Sequence, residues 1–432
     1  MAEAAPARSV NRRVALGLSA GALMAARGAI AGPRPSSLGQ ALFADVAAYD
    51  ALGEHRTASR ADVATSAWLA ERLKRAGMEV SLQGFSAPLF RPGRCVLEVG
   101  GRAVETFPAW PPVATPPGGI KATLAAGAAG DLSDRIALVV LPHGAGASWA
   151  SPRLGEPVMG AIKRGAAAVV AVTEGPTGDI VALNTAPGRY NWPVPVVLAP
   201  GREAKALAGD AAAHSPARLV SSGAMDAAAQ ADNVIARRPG RGKTVVISTP
   251  TSGWFHCAGE RGSGVAVSFA LADWLTRETD ADLLFVGASG HELGYAGARA
   301  FLATAPSPEA VKAWLHIGAN VAVQEVTFSN GAGFGTGKPV ELRRLAATPE
   351  LLAPAERAFA GLGGYARPQP LSAHNAVGEL ELFHAAGYPE LCGIVGAGPL
   401  FHTPLDRTPL ATTPTILAPV ALACRALLTS LT

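Results

Sequence analysis

Three short stretches of this chain gather the residue types that hydrolytic chemistry needs. The first, Thr249-Pro250-Thr251-Ser252-Gly253-Trp254-Phe255-His256-Cys257-Ala258-Gly259-Glu260-Arg261-Gly262-Ser263-Gly264, sets a carboxylate beside a guanidinium among glycines. The second, Gly287-Ala288-Ser289-Gly290-His291-Glu292-Leu293-Gly294, carries an imidazole and a carboxylate in succession, and the third is Phe401-His402-Thr403-Pro404-Leu405-Asp406. Imidazole nitrogen and carboxylate oxygen are the donors zinc accepts, and catalysis needs a further position open to water. Imidazole also moves protons near neutral pH. The spacing of Gly259, Gly262 and Gly264 is superficially that of a phosphate loop, but no Gly-Lys-Ser/Thr follows, so a nucleotide site is not expected. Ser263 lacks a nucleophile-elbow pattern and reads as a helix N-cap.

These stretches need strands and helices to present them. Val63, Ala67, Leu69, Ala70, Leu73 and Ala76 recur at helical spacing between Asp62 and Met78, and Gly77 sits where a stop belongs. Glu79-Val80-Ser81-Leu82 then alternates like a strand. From about Pro92 to Leu219 the texture changes to short β-like runs punctuated by Pro and Gly, including Ile136 to Leu141, Val169 to Val172 and Val194 to Leu198, which marks a separate small domain over 92–219. Beyond Asn233, strand-like blocks (Val245 to Ser248, Leu283 to Val286) alternate with helix-like ones (Gly264 to Leu275, Tyr295 to Leu302). Such alternation predicts a sheet with flanking helices, with functional groups beyond the carboxyl ends of its strands.

Composition narrows the function classes. With 432 residues, burial is not limiting, and two domains are expected. A formal charge of +4 with no later Lys/Arg run argues against a nucleic-acid partner. Arg12 and Arg13 precede an uncharged stretch from Val14 to Ala26, and Ala29-Ile30-Ala31 offers small residues at cleavage spacing, so residues 1–31 read as an export signal resembling the twin-arginine type. That stretch is short for a membrane span, and no span is expected in the mature protein. Cys95, Cys257, Cys392 and Cys424 are too scattered for a paired zinc motif.

The frame Gly53-Glu54-His55-Arg56-Thr57 leading into Asp62, then Asn233-Val234-Ile235-Ala236, Gly262-Ser263-Gly264, Phe285-Val286-Gly287-Ala288 through His291-Glu292-Leu293-Gly294, and His402-Thr403-Pro404-Leu405-Asp406 resembles the di-zinc metallopeptidase family 28, in order over most of residues 40–430. The piece Met159 to Ala166 followed by the Val169 run resembles the helix-to-strand step of a protease-associated domain. The resemblance implies an α/β fold: a mixed-sheet, three-layer α/β/α zinc-exopeptidase domain over 40–90 and 220–432, with the small β-rich domain inserted. It implies an aminopeptidase-like hydrolase acting on a peptide or other amide bond.

Members of that family hold two zinc ions with His, Asp and Glu ligands and use a Glu as general base, and this chain departs from the pattern. Thr249 stands at the first His position, Glu260 at the bridging Asp, His291 at the proton-transfer Glu, and only Asn320 is polar near the expected late Asp. Glu260, Glu292 and His402 remain as ligands for one zinc, with His291 as the catalytic base. Arg261 pairs with Glu260 or binds a substrate carboxylate or carbonyl, Trp254 walls a substrate pocket or simply packs, and Glu379 flanks a loop or helix start or holds a substrate amine. His256, Cys257, His374, Glu381 and His384 are further polar candidates without a defined role. A non-catalytic binding protein on the same scaffold, and metal-free chemistry by His291 with Glu260 or Glu292, are the alternatives. Oligomeric state is not legible.

Overall fold

The computed structural model describes residues 36–144, 147–329 and 331–432. The expected export signal at 1–31 lies outside the described residues.

The main sheet runs in the order Glu79–Ser86, Gln230–Arg238, Ala281–Ala288, Arg241–Pro250, Val311–Ile317, Leu391–Gly396, Arg343–Ala347, Gln369–Pro370. Its four central strands, from Ala281–Ala288 to Leu391–Gly396, are mutually parallel, so their carboxyl ends share one edge. Alternation along each strand divides the apolar residues between two layers. Val245, Ile247, Leu283, Phe285, Leu315 and Ile317 pack beneath the helices Ser37–Ala51, Ser263–Glu278 and Pro414–Thr429. Val246, Leu284, Val286 and Trp314 face the helices Ala296–Leu302 and Leu380–Ala385 on the other side. Each such side chain, once buried, contributes roughly 1.5–3 kcal/mol. The result is the expected three-layer α/β/α arrangement.

Helix Arg60–Arg75 starts where Ser59 accepts a hydrogen bond from the Asp62 N–H, and ends before Gly77, whose φ of 87° suits a residue without a Cβ. The chain then enters strand Glu79–Ser86 and leaves the main sheet. It returns at Gln230–Arg238, which pairs antiparallel with that same strand. Between them lies a second eight-stranded sheet, from Leu89 to Asp226, with helix Pro152–Lys163 on one face and Ala204–Ala212 on the other. It buries its own two apolar clusters; the runs Ile136 to Leu141 and Val169 to Val172 fall within its strands, and Val194 to Leu198 overlaps the strand Val196–Pro200. Among the described residues no helix is long and apolar enough to cross a membrane.

Candidate active site

Loops from the carboxyl edge of the main sheet converge on one buried polar cluster. Glu260 and Arg261 stand in a π-helical turn, Ala258–Gly262, that runs directly into helix Ser263–Glu278. Ser263 is therefore not the cap: its hydroxyl lies within the helical run and donates to the Gly259 carbonyl at 2.6 Å. The cap arrives from far along the chain, where the Asp406 carboxylate accepts the Gly259 and Glu260 N–H groups at 2.8 and 2.9 Å. A carboxylate there satisfies two donors that a helix start leaves without partners. Burial, reinforced by the nearby Glu260 charge, pushes the Asp406 carboxyl up to about 7. Asp406→Ala is expected to lower unfolding free energy by about 1–3 kcal/mol, read as a shift in urea midpoint, with Asp406→Asn closer to wild type.

Glu260, Arg261 and His402 form the centre of the cluster, and all three are buried. Arg261 Nη2 lies 2.7 Å and His402 Nε2 lies 3.2 Å from the same oxygen, Glu260 Oε1. Both contacts are close in distance, yet neither has hydrogen-bond geometry. Arg261 is steered by its Nε, which donates to the Ser252 carbonyl at 2.8 Å. His402 Nδ1 lies 2.8 Å from the Ala182 carbonyl, which can only accept, so that nitrogen carries the proton. Burial alone would raise Glu260, but Arg261 and His402 overcome it and hold its carboxyl at about 2. Burial likewise works against the Arg261 charge, and Glu260 together with Cys257, Tyr49 and Glu379 outweighs it and raises the guanidinium.

Glu292 has different partners. Its Oε1 accepts the Thr57 N–H and hydroxyl at 2.7 and 2.6 Å, and its Oε2 accepts the Ser252 hydroxyl at 2.7 Å. Ser252 Oγ in turn accepts the Gly290 and His291 N–H groups at 2.8 and 3.2 Å, fixing the loop that carries His291. Thr57 and Glu292 also floor a cleft between the two sheets, walled by Phe107, Trp110, Trp254 and Leu293. Trp254 is held there through its Nε1, which donates to Asn184 at 2.9 Å, and by an edge contact with Phe107.

His291 Nδ1 pairs with Glu379 Oε1 at 3.1 Å. Glu379 is wholly buried, whereas His291 keeps 7% of its surface exposed, more than Glu260, Arg261, Glu292 or His402. Burial pushes the Glu379 carboxyl up to about 8, with Arg261 opposing and Glu292 adding to the rise. Burial, together with the charges of Arg261, His402 and His316, lowers His291 well below its ordinary value. The imidazole edge rests against Gly378, whose φ is 66° and where an added Cβ would lie 3.3 Å from His291 Cε1. Gly378→Ala should therefore strain the backbone by about 1 kcal/mol and push the ring, lowering turnover more than thermal stability. Cys257, Tyr295, Asn320 and His402 also adopt positive φ, so four non-glycine residues of these loops hold a conformation that L-residues avoid.

The expected zinc ligands are thus distributed differently from the sequence reading. Glu260 and His402 come together, Glu292 is turned to Thr57 and Ser252, and among the described residues no group of three or more His, Cys, Asp or Glu could hold a metal ion. Arg261 lies against the carboxylate that a metal would need, Thr249 offers only a hydroxyl, and Asn320 offers no charge. This donor set does not fit a zinc ion. Glu379 stands at the start of helix Leu380–Ala385, one of the positions expected for it, and is the partner of His291. Sequence reasoning missed Thr57 and Ser252 as the clamp on Glu292, and Asp406 as the helix cap. The only signal for any of them was their place within the recognised motifs.

No protein-family model matches the chain, and no curated protein matches it by sequence. Solved structures do match over nearly its whole length. The zinc aminopeptidase BSAP from Bacillus subtilis is 16% identical, with 91% of this chain and 94% of that one covered and a TM-score of 0.71. An M28 peptidase precursor from Shewanella amazonensis SB2B is 17% identical, covering 90% and 92%, again with a TM-score of 0.71. The aminopeptidase from Aneurinibacillus sp. strain AM-1 is 18% identical, covering 91% and 93%, with a TM-score of 0.61. The chain therefore has the fold of the zinc aminopeptidases and M28 peptidases. At such identity the likeness concerns fold, and chemistry has to be argued from the residues.

Proposed function

We propose that this chain is a peptidase-fold hydrolase that cleaves a peptide or other amide bond, with His291 and Glu379 rather than a metal handling the proton. The observation that carries this reading is the 3.1 Å contact between a wholly buried carboxyl and an imidazole side chain that keeps 9% of its surface exposed. When Glu379 is protonated it donates to Nδ1, and the imidazole proton sits on Nε2. When Glu379 ionises, Oε1 accepts the Nδ1–H and Nε2 is left with a lone pair. That nitrogen can then take a proton from water as the hydroxyl adds to the substrate carbonyl, and return it to the departing amine nitrogen. The aromatic walls of the adjacent cleft suit an apolar substrate side chain. The twin arginines Arg12 and Arg13 support export, which N-terminal sequencing of secreted material would test.

A second reading, a non-catalytic binding protein, is favoured by the closure of the cluster. The segment around Ala182 to Thr185 bonds to it through Ala182 N–H to the His402 carbonyl at 2.9 Å and Thr185 N–H to the Glu292 carbonyl at 2.9 Å. A peptide and amide library assayed with chelator and with added zinc separates the two. Turnover that survives chelation is expected. Turnover abolished by chelation and restored by zinc would overturn the metal-free assignment, and saturable binding without turnover would establish the second reading.

A further inference from the structure

Arg261 is the charged group of this site whose burial most needs a reason. Its side chain is wholly buried, its Nε is engaged by Ser252, and Nη1 and Nη2 have no hydrogen-bonding protein partner. The same holds for both Glu260 oxygens and for His402 Nε2. A buried charge persists only beside an opposite one, and Glu260 supplies it at 2.7 Å. Glu260 Oε1 also faces His402 Nε2, so a carboxylate and an imidazole converge and a permanent cation lies against the carboxylate. A metal ion held by Glu260 and His402 would have to approach the same carboxylate oxygen against which the guanidinium already lies.

We infer that Arg261 is a built-in cation that takes the place of a metal ion in this site. It neutralises Glu260 with a charge that cannot dissociate, and it repels a divalent ion approaching the same carboxylate. Its charge extends through the cluster, bearing on His291, His316 and Glu379. The assignment concerns the site of the proposed hydrolase but stands whether or not amide hydrolysis is the activity.

The test is zinc binding by the full chain, measured by elemental analysis, calorimetric titration and thermal midpoint. Wild type grown in zinc-rich medium is expected to carry no stoichiometric zinc and to show no rise in midpoint when zinc is added. Arg261→Met removes the charge at similar volume, and should bind zinc on the order of 100-fold or more tighter than wild type. Glu260→Gln added to Arg261→Met should abolish that gain. Stoichiometric zinc in wild type overturns the inference, as does a folded Arg261→Met protein that binds zinc no better, or a gain that survives loss of the Glu260 charge. An Arg261→Met protein that folds only when zinc is present is the expected rescue. If it folds under neither condition, Arg261→Lys decides alongside wild type: zinc-free protein supports the inference and zinc in either overturns it.

Discussion

Replacing His291 with alanine is expected to lower amide turnover by about 10²–10⁴-fold while leaving the chain folded, because the side chain lies at the rim of the cluster and serves proton transfer. The pH dependence gives a sharper result. Glu379 must ionise before His291 Nε2 can act as a base, and its carboxyl is pushed up to about 8, so turnover should rise as pH passes through that value. His291, held well below its ordinary value, adds no second step there. Glu379→Gln removes the ionisation and should flatten the profile. A wild-type profile already level between pH 6 and 9 would remove Glu379 from this role.

The same carboxyl makes a statement about stability that needs no substrate. In the unfolded chain Glu379 titrates near its ordinary 4.5, whereas in the folded protein it keeps its proton to about 8. Between those values the folded state binds more protons, so this group's contribution to stability falls as pH rises and is complete only below 4.5. Asp406, raised to about 7, acts with the same sign over a narrower window. Urea midpoints across this range should fall less in Glu379→Gln than in wild type.

What could be read from the sequence follows the range of the interactions. Helix Arg60–Arg75 and the stop at Gly77 rest on contacts within a few residues, and the period of two in Val245 to Ile247 and Leu283 to Val286 rests on which layer each side chain faces. Both are local patterns, so the α/β layering was legible. The cluster was legible only in part. Glu260, His402 and His291 were identifiable by residue type and by motif order, but their partners were not. Thr57 reaches Glu292 across 235 residues, and Asp406 reaches the turn before Ser263 across 146 and 147. Ser263 illustrates the cost: a serine before an apolar helical run has the pattern of a cap, and a distant aspartate had already filled that role.

Glu292 is where the ligand and clamp readings diverge most in their consequences. Its two oxygens accept from Thr57 N–H, the Thr57 hydroxyl and the Ser252 hydroxyl, all buried. Glu292→Ala leaves those donors without their acceptor. At about 1–3 kcal/mol for each unsatisfied group, partly recovered as the hydroxyls rotate, the expected loss is about 3–5 kcal/mol of unfolding free energy. Ser252 would lose the bond that orients it towards Gly290 and His291, so the remaining folded fraction should also turn over poorly. Glu292→Gln keeps one acceptor for Thr57 and a shape that fits, and should cost about 1–2 kcal/mol while retaining most turnover. A metal ligand would behave otherwise, since the amide and the methyl group would both remove the charge the metal needs. Urea unfolding and turnover measured on both variants therefore decide the matter: a glutamine variant as stable as wild type but as inactive as the alanine variant would restore Glu292 to a role in the chemistry.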